Sequence, residues 1–185
     1  MSTIFVIRHA EKPDAKHQGV NEAGLVDNES LTPVGWQRAG GLAVLFGSKG
    51  GLPAPDRIYA SAAEKEKVGP HEKVGSKSNR PLETVTPLAA KLGITALDTY
   101  TKGDEAGLVA EVVKLGGATL ICWQHEAIPE IAKLIMGTQA GIPDPWPEDR
   151  FDVVWCFTRS GVGKPWTFQQ VCQRLLAGDS QSPIA

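Results

Sequence analysis

With 185 residues, 42% of them hydrophobic and 22% charged, the chain has the composition of a globular domain and lies far from disordered, collagen-like or membrane-spanning sequences. Its 19 Lys and Arg against 21 Asp and Glu leave a net charge of -2, so no global field draws it to nucleic acid or an anionic membrane. Any anion site must be local, and the length fits one domain, residues 1–185, with a core large enough to fold without disulfide or metal staples.

In chain order, Ile4 to Ile7 is a continuous β-branched and aromatic run, which predicts a strand buried on both faces of a parallel sheet and ending at Arg8 and His9. The start lacks the basic end and long apolar stretch of a secretory signal, and no later run approaches the roughly 18 apolar residues of a membrane span. Cys122, Cys156 and Cys172 are widely spaced and form no CxxC pair, so they are expected as reduced, buried small hydrophobes in a cytoplasmic protein. A polar stretch follows to about Ser30. Thr32-Pro33 then reads as an N-cap with proline at the first helical position, leading into Ala39, Leu42, Ala43 and Phe46 at helical spacing.

Gly47 to Pro55 reads as a loop and Asp56 to Ser61 as a second short strand. The segment from Ala62 to Lys77, with Lys65, Lys67, Lys73, Lys77 and His71, is too polar for core and predicts a surface loop. From Arg80 a helix face runs through Leu82, Val85, Ala89 and Leu92, capped by Ser78 or Asn79 and closed by Gly93. A weaker helix is expected over Glu105 to Leu115, and a buried strand over Ala118 to Trp123. The next helix carries Ile128, Ile131, Ala132 and Ile135 and stops at Gly137. Prolines at 143, 145 and 147 exclude helix and central strand there. Asp152 to Thr158 and Trp166 to Gln173 predict two more strands at the sheet end, with Trp123, Trp146, Trp155 and Trp166 as packing residues. The sum is a three-layer α/β/α sandwich around a mostly parallel central sheet.

In such sheets ligands gather outside the carboxyl ends of the strands. One strand ends in Arg8-His9 and another in Gln124-His125-Glu126, while Arg80 opens a helix whose amino end favours an anion. Two arginines, two histidines and a helix terminus describe a phosphate site. His17 and His71 lie in polar segments and are expected as surface residues, and the spacing of the four histidines matches no metal-ligand pattern. Gly161 to Pro165 imitates a phosphate loop, but Thr158 stands where its first glycine belongs and Pro165 where Ser or Thr belongs.

The run Phe5-Val6-Ile7-Arg8-His9-Ala10-Glu11-Lys12-Pro13 resembles the Arg-His motif of the histidine phosphatase superfamily, whose fold is phosphoglycerate mutase-like. Leu31 to Ala39 is similar to the family's Leu-Thr-x-x-Gly helix start. Asp56 to Ser61 and Ser78 to Thr84 resemble the strand and helix opening that carry its second arginine, and His125 stands where its second histidine does. These blocks keep the family's order from residue 4 to about residue 136.

The resemblance implies a metal-independent, cofactor-free phosphatase acting on a phosphorylated small molecule or phosphoprotein. His9 would be the nucleophile, with Arg8, Arg80 and His125 as catalytic and phosphoryl-binding groups and Glu11 beside them in substrate binding. It implies Glu126 as proton donor, with Asp104, Glu105 and Glu11 as the alternatives; a phosphohistidine or acyl phosphate substrate would need no strong acid. Ala15 stands where the mutase branch carries a phosphate-binding asparagine, which disfavours a mutase. The alternative from another class is a phosphate- or phosphoprotein-binding regulatory module with little catalysis.

Overall fold

The computed structural model describes residues 1–64 and 76–185. The lysines and histidine at positions 65, 67, 71 and 73, expected on a surface loop, lie outside the described residues. The elements are β1 (Ser2–Arg8), α1 (Pro33–Leu45), β2 (Arg57–Ala60), α2 (Arg80–Leu92), β3 (Ala96–Leu97), α3 (Glu105–Val112), β4 (Gly117–Trp123), a 3-10 turn (His125–Ala127), α4 (Ile128–Met136), β5 (Val153–Arg159) and β6 (Thr167–Cys172). Among the described residues the strands form one sheet in the order β3-β2-β4-β1-β5-β6. The first four are parallel, and β5 runs antiparallel to β1 and to β6.

Alternation along the strands divides the core. Ile4, Val6, Ile121 and Trp123 face the side covered by α3 and α4, whereas Phe5, Ile7, Leu120 and Cys122 face α1 and α2. This is the expected three-layer arrangement, because strands buried on both faces need a helix layer on each. Trp146 and Trp155, ring centroids 4.8 Å apart, extend the first core beneath the proline-rich segment. Cys122 and Cys156 are buried, and all three thiols are free. Among the described residues no helix is long and apolar enough to cross a membrane.

Helix boundaries follow local chemistry. Thr32 accepts a bond from the Gly35 amide at 3.2 Å and Pro33 occupies the first turn, so α1 starts where the sequence places it. Gly93 and Gly137 end α2 and α4 at φ of 67° and 69°, the left-handed region that glycine enters without a Cβ clash. At the start of α2 Ser78, not Asn79, supplies the side-chain acceptor, taking the Arg80 amide at 3.3 Å. Helix α3 stops at Val112, short of Leu115.

Register then levels the functional edge. Arg8 pairs with Trp123, the His9 amide donates to the Trp123 carbonyl at 3.1 Å, and the Ser61 amide donates to the Cys122 carbonyl at 3.1 Å. The carboxyl ends of β1, β2 and β4 therefore lie flush, presenting His9, Ser61 and Gln124-His125 along one rim.

Candidate active site

His9 is 4% exposed, and its Nδ1 lies 2.8 Å from the Ala10 carbonyl oxygen. A carbonyl only accepts, so Nδ1 carries the proton and Nε2 keeps its lone pair. Burial pushes the imidazole pKa down to about 3, and the positive charges of Arg8 and Arg80 act in the same direction. The ring is uncharged at neutral pH. One strut fixes its surroundings: Thr84 Oγ1 accepts the Ala10 amide at 2.8 Å and donates to the Arg80 carbonyl at 2.7 Å, tying the segment after β1 to the first turn of α2. Glu83, in the same turn, accepts from Ser30 Oγ at 2.6 Å and the Leu31 amide at 2.8 Å and holds the approach to α1.

Among the described residues, the cations around His9 are incompletely paired. Arg8 is 1% exposed; its Nη1 donates to the carbonyls of Pro147, Glu148 and Arg150 at 3.3, 2.6 and 3.2 Å, while Nε and Nη2 have no partner among the described residues. Arg80 Nη1 donates to the Asn28 carbonyl at 2.9 Å and its buried Nε has no such partner. Burial lowers the pKa of both, that of Arg8 to about 10, against the pull of nearby carboxylates. Ser61 Oγ and both polar atoms of the Gln124 amide are likewise buried without a partner among the described residues. Leaving such groups unmatched is costly, so their gathering at one rim marks a place built for a polar ligand. Its donors and its two arginines fit an anion with several oxygens.

The acids named from sequence are placed differently from one another. Glu126, next to His125, has Oε1 at 2.5 Å from Lys102 Nζ and Oε2 at 2.9 Å from His125 Nδ1, the latter off the line of a hydrogen bond. The His125 ring and Lys102 hold its carboxyl well below the usual range despite partial burial, so it is ionised at neutral pH. Glu105 accepts from Trp123 Nε1 at 2.9 Å and from the Gly103 amide, and Asp104 accepts from Thr101 Oγ1 at 3.0 Å. Both carboxylate oxygens of Glu11 face Arg38, at 2.7 to 3.1 Å, which gives Glu11 a bracing place in the fold. His17 is exposed and pairs with Asp14 at 3.0 Å. Among the described residues no group of three His, Cys, Asp or Glu side chains is arranged to hold a metal ion.

No family model matches the chain, and no curated protein matches it in sequence. Solved structures do. The protein histidine phosphatase SixA, complexed with tungstate, superposes with a TM-score of 0.58 at 16% identity over 92% of this chain and 97% of its own. Phosphoserine phosphatase from Entamoeba histolytica, in complex with 3-phosphoglyceric acid, gives 0.55 at 15% identity over 95% and 100%. A mycobacterial glucosyl-3-phosphoglycerate phosphatase gives 0.55 at 13% identity over 90% and 96%. The fold is that of the histidine phosphatases.

Within this histidine phosphatase fold the sequence missed several residues at the rim. Phe151 lies under Arg8, with the guanidinium carbon 3.8 Å from its ring centroid, and its ring is 6.3 Å from that of His9. Nothing local signalled it, because it follows an irregular segment more than 140 positions away. Lys102 was likewise hidden in a loop. Gln124 carried one signal: a polar residue placed directly after the buried run Thr119 to Trp123 of β4.

Proposed function

We propose that the chain is a phosphatase that transfers a phosphoryl group to His9 and then to water. The observation that carries this reading is the buried, uncharged His9 ring, whose Nδ1 is tied to a backbone carbonyl while arginine donors without a partner among the described residues lie nearby. The Nε2 lone pair attacks phosphorus, the bond to the leaving group breaks, and that group departs with the electron pair and takes up a proton. Water then attacks the phosphohistidine, the P–N bond breaks, and inorganic phosphate leaves with His9 restored. Splitting one displacement into two is the gain of covalent catalysis. Arg8 and Arg80 hold the phosphoryl oxygens, and His125 stands at the same rim to donate to them. Each such prearranged donor accounts for roughly a hundred- to a thousandfold in rate.

The state of Glu126 bears on the substrate. A carboxylate held between His125 and Lys102 is a poor proton source, and Glu105 and Glu11 are engaged as acceptors. A leaving group that departs without a strong acid therefore suits this site best, which favours a phosphoramidate such as phosphohistidine, or an acyl or aryl phosphate, over a simple alkyl ester. The likeness to a protein histidine phosphatase points the same way.

The test is turnover of an aryl phosphate and of a phosphohistidine peptide in the presence of a chelator, by the parent and by His9→Ala. Turnover lost in the variant supports the reading. Turnover that survives His9→Ala removes the nucleophile, and tungstate binding with no turnover of any phosphorylated compound points instead to a phosphate-recognising module.

A further inference from the structure

One segment holds the Arg8 guanidinium from two directions. Three backbone carbonyls, of Pro147, Glu148 and Arg150, surround Nη1, and the guanidinium carbon lies over the Phe151 ring, 3.8 Å from its centroid. Carbonyls around one nitrogen fix a point about which the plane can still swing. A ring at stacking distance fixes the plane as well. Together they aim Nε and Nη2, the two nitrogens without partners among the described residues.

Phe151 also forms a wall of a cleft of about 360 Å³, whose other sides include Pro13, Val34, Lys12 and the acidic Glu11, Asp14 and Glu148. That volume lies at the small end of ligand pockets, enough for one ring and its substituents. The cleft adjoins the nucleophile, since Lys12 and Pro13 follow His9 closely in the chain and the Phe151 ring lies 6.3 Å from the His9 ring. Phe151, Pro13 and Val34 give it apolar surface, with the Phe151 ring as its flat part. Glu148 joins both sites, with its carbonyl on Arg8 and the residue in the cleft wall.

We propose that this cleft receives the substrate's leaving group, that it takes a flat aromatic or heteroaromatic one, and that Phe151 couples its recognition to phosphoryl binding by carrying Arg8 on its ring. Phe151 is thus a positioning residue for Arg8 and a specificity residue for the cleft. The proposal rests on the reading of Arg8 as a phosphoryl ligand.

Phe151→Leu, Phe151→Tyr, Val34→Ser and Arg8→Lys in the full chain test it, with tungstate affinity by calorimetry reporting the phosphoryl site and kcat/KM on phenyl phosphate and glycerol phosphate reporting the cleft. Phe151→Leu is expected to weaken tungstate roughly 2- to 30-fold, the span of a cation–π contact. It should lower kcat/KM for phenyl phosphate several-fold more than for glycerol phosphate, and Phe151→Tyr should keep both near the parent. Val34, 42% exposed, can be changed with little risk to folding; Val34→Ser should lower phenyl phosphate turnover selectively and leave tungstate binding alone. Unchanged tungstate affinity in Phe151→Leu, or equal losses on the two substrates in either cleft variant, overturns the proposal. If Arg8→Lys also leaves tungstate affinity unchanged, what fails is the phosphoryl role of Arg8; a loss in Arg8→Lys alone condemns only the role of the ring.

Discussion

Arg8 and Arg38 are both buried and both face the segments that meet His9, yet their surroundings are opposite. Every nitrogen of Arg38 donates to a side chain: Nε and Nη2 to Glu11, Nη1 to Gln173 and Asp179, and Nη2 again to Asp179 at 2.8 Å. Burial alone would lower its pKa, but Asp179 and Glu11 raise it above the ordinary value. Among the described residues Arg8 has carbonyls on one nitrogen only, and burial lowers its pKa to about 10. A saturated buried arginine closes a structure, whereas one with unmatched donors keeps them for something that arrives later.

Substituting each arginine by methionine, which keeps most of the volume, is the sharpest way to break this comparison. Arg38→Met strands Asp179 and Glu11 and is expected to cost about 3–5 kcal/mol of stability, read by denaturant unfolding, with residual activity tracking the folded fraction. Arg8→Met should remove about 3–4 kcal/mol of transition-state stabilisation, a fall in kcat/KM of hundreds-fold or more, with a smaller loss of stability than Arg38→Met. Equal stability losses in the two variants would erase the distinction. The strut from the segment after β1 to α2 comes next: Thr84→Val leaves the Ala10 amide without its acceptor and should cost about 1–3 kcal/mol, lowering kcat more than KM by displacing His9 and Arg80.

Acid separates the regions by window. The unfolded chain protonates His9 near its ordinary 6.5, while the folded ring stays uncharged until about 3. The unfolded state therefore binds more protons across that window, and stability falls on acidification by roughly 1.4 kcal/mol per pH unit. His9→Gln should lack this slope. Burial raises the Asp179 pKa, but its bonds to Arg38 outweigh this and hold it below the ordinary 3.8, so its contribution is present above 3.8 and lost only as pH falls through the folded value. The smallest effect is expected from Glu126→Gln: within a few-fold on kcat/KM, and equal for good and poor leaving groups. A selective loss on poor leaving groups would restore Glu126 as the proton donor.

The fold was largely legible because its signals are local. The buried run before Arg8, the Thr32-Pro33 cap and the stripe of α4 each declare themselves within a dozen residues, and parallel strands bring their ends to one rim. The two-residue β3 is too short to leave a period. Within the site, Arg8, His9, Arg80 and His125 were readable as chain-order motifs, whereas what holds them comes from far along the chain. The carbonyls on Arg8 come from residues 147–150, in a segment where proline erases any periodic pattern. Glu11 was expected at substrate and lines the cleft beside Phe151, but its bond to Arg38 was overlooked although Arg38 lies on the same buried stripe of α1 as Gly35, Ala39 and Leu42. A charge on an apolar stripe announces a buried partner.

The account stands or falls on covalent chemistry at His9. Mixing the protein with a phosphohistidine peptide or an aryl phosphate, quenching by denaturation at neutral or alkaline pH, and mapping the peptides by mass spectrometry measures it directly. The account predicts one added phosphoryl group on His9 that is lost on acid treatment and never forms in His9→Ala. Steady turnover with no phosphoryl group on His9 would contradict it.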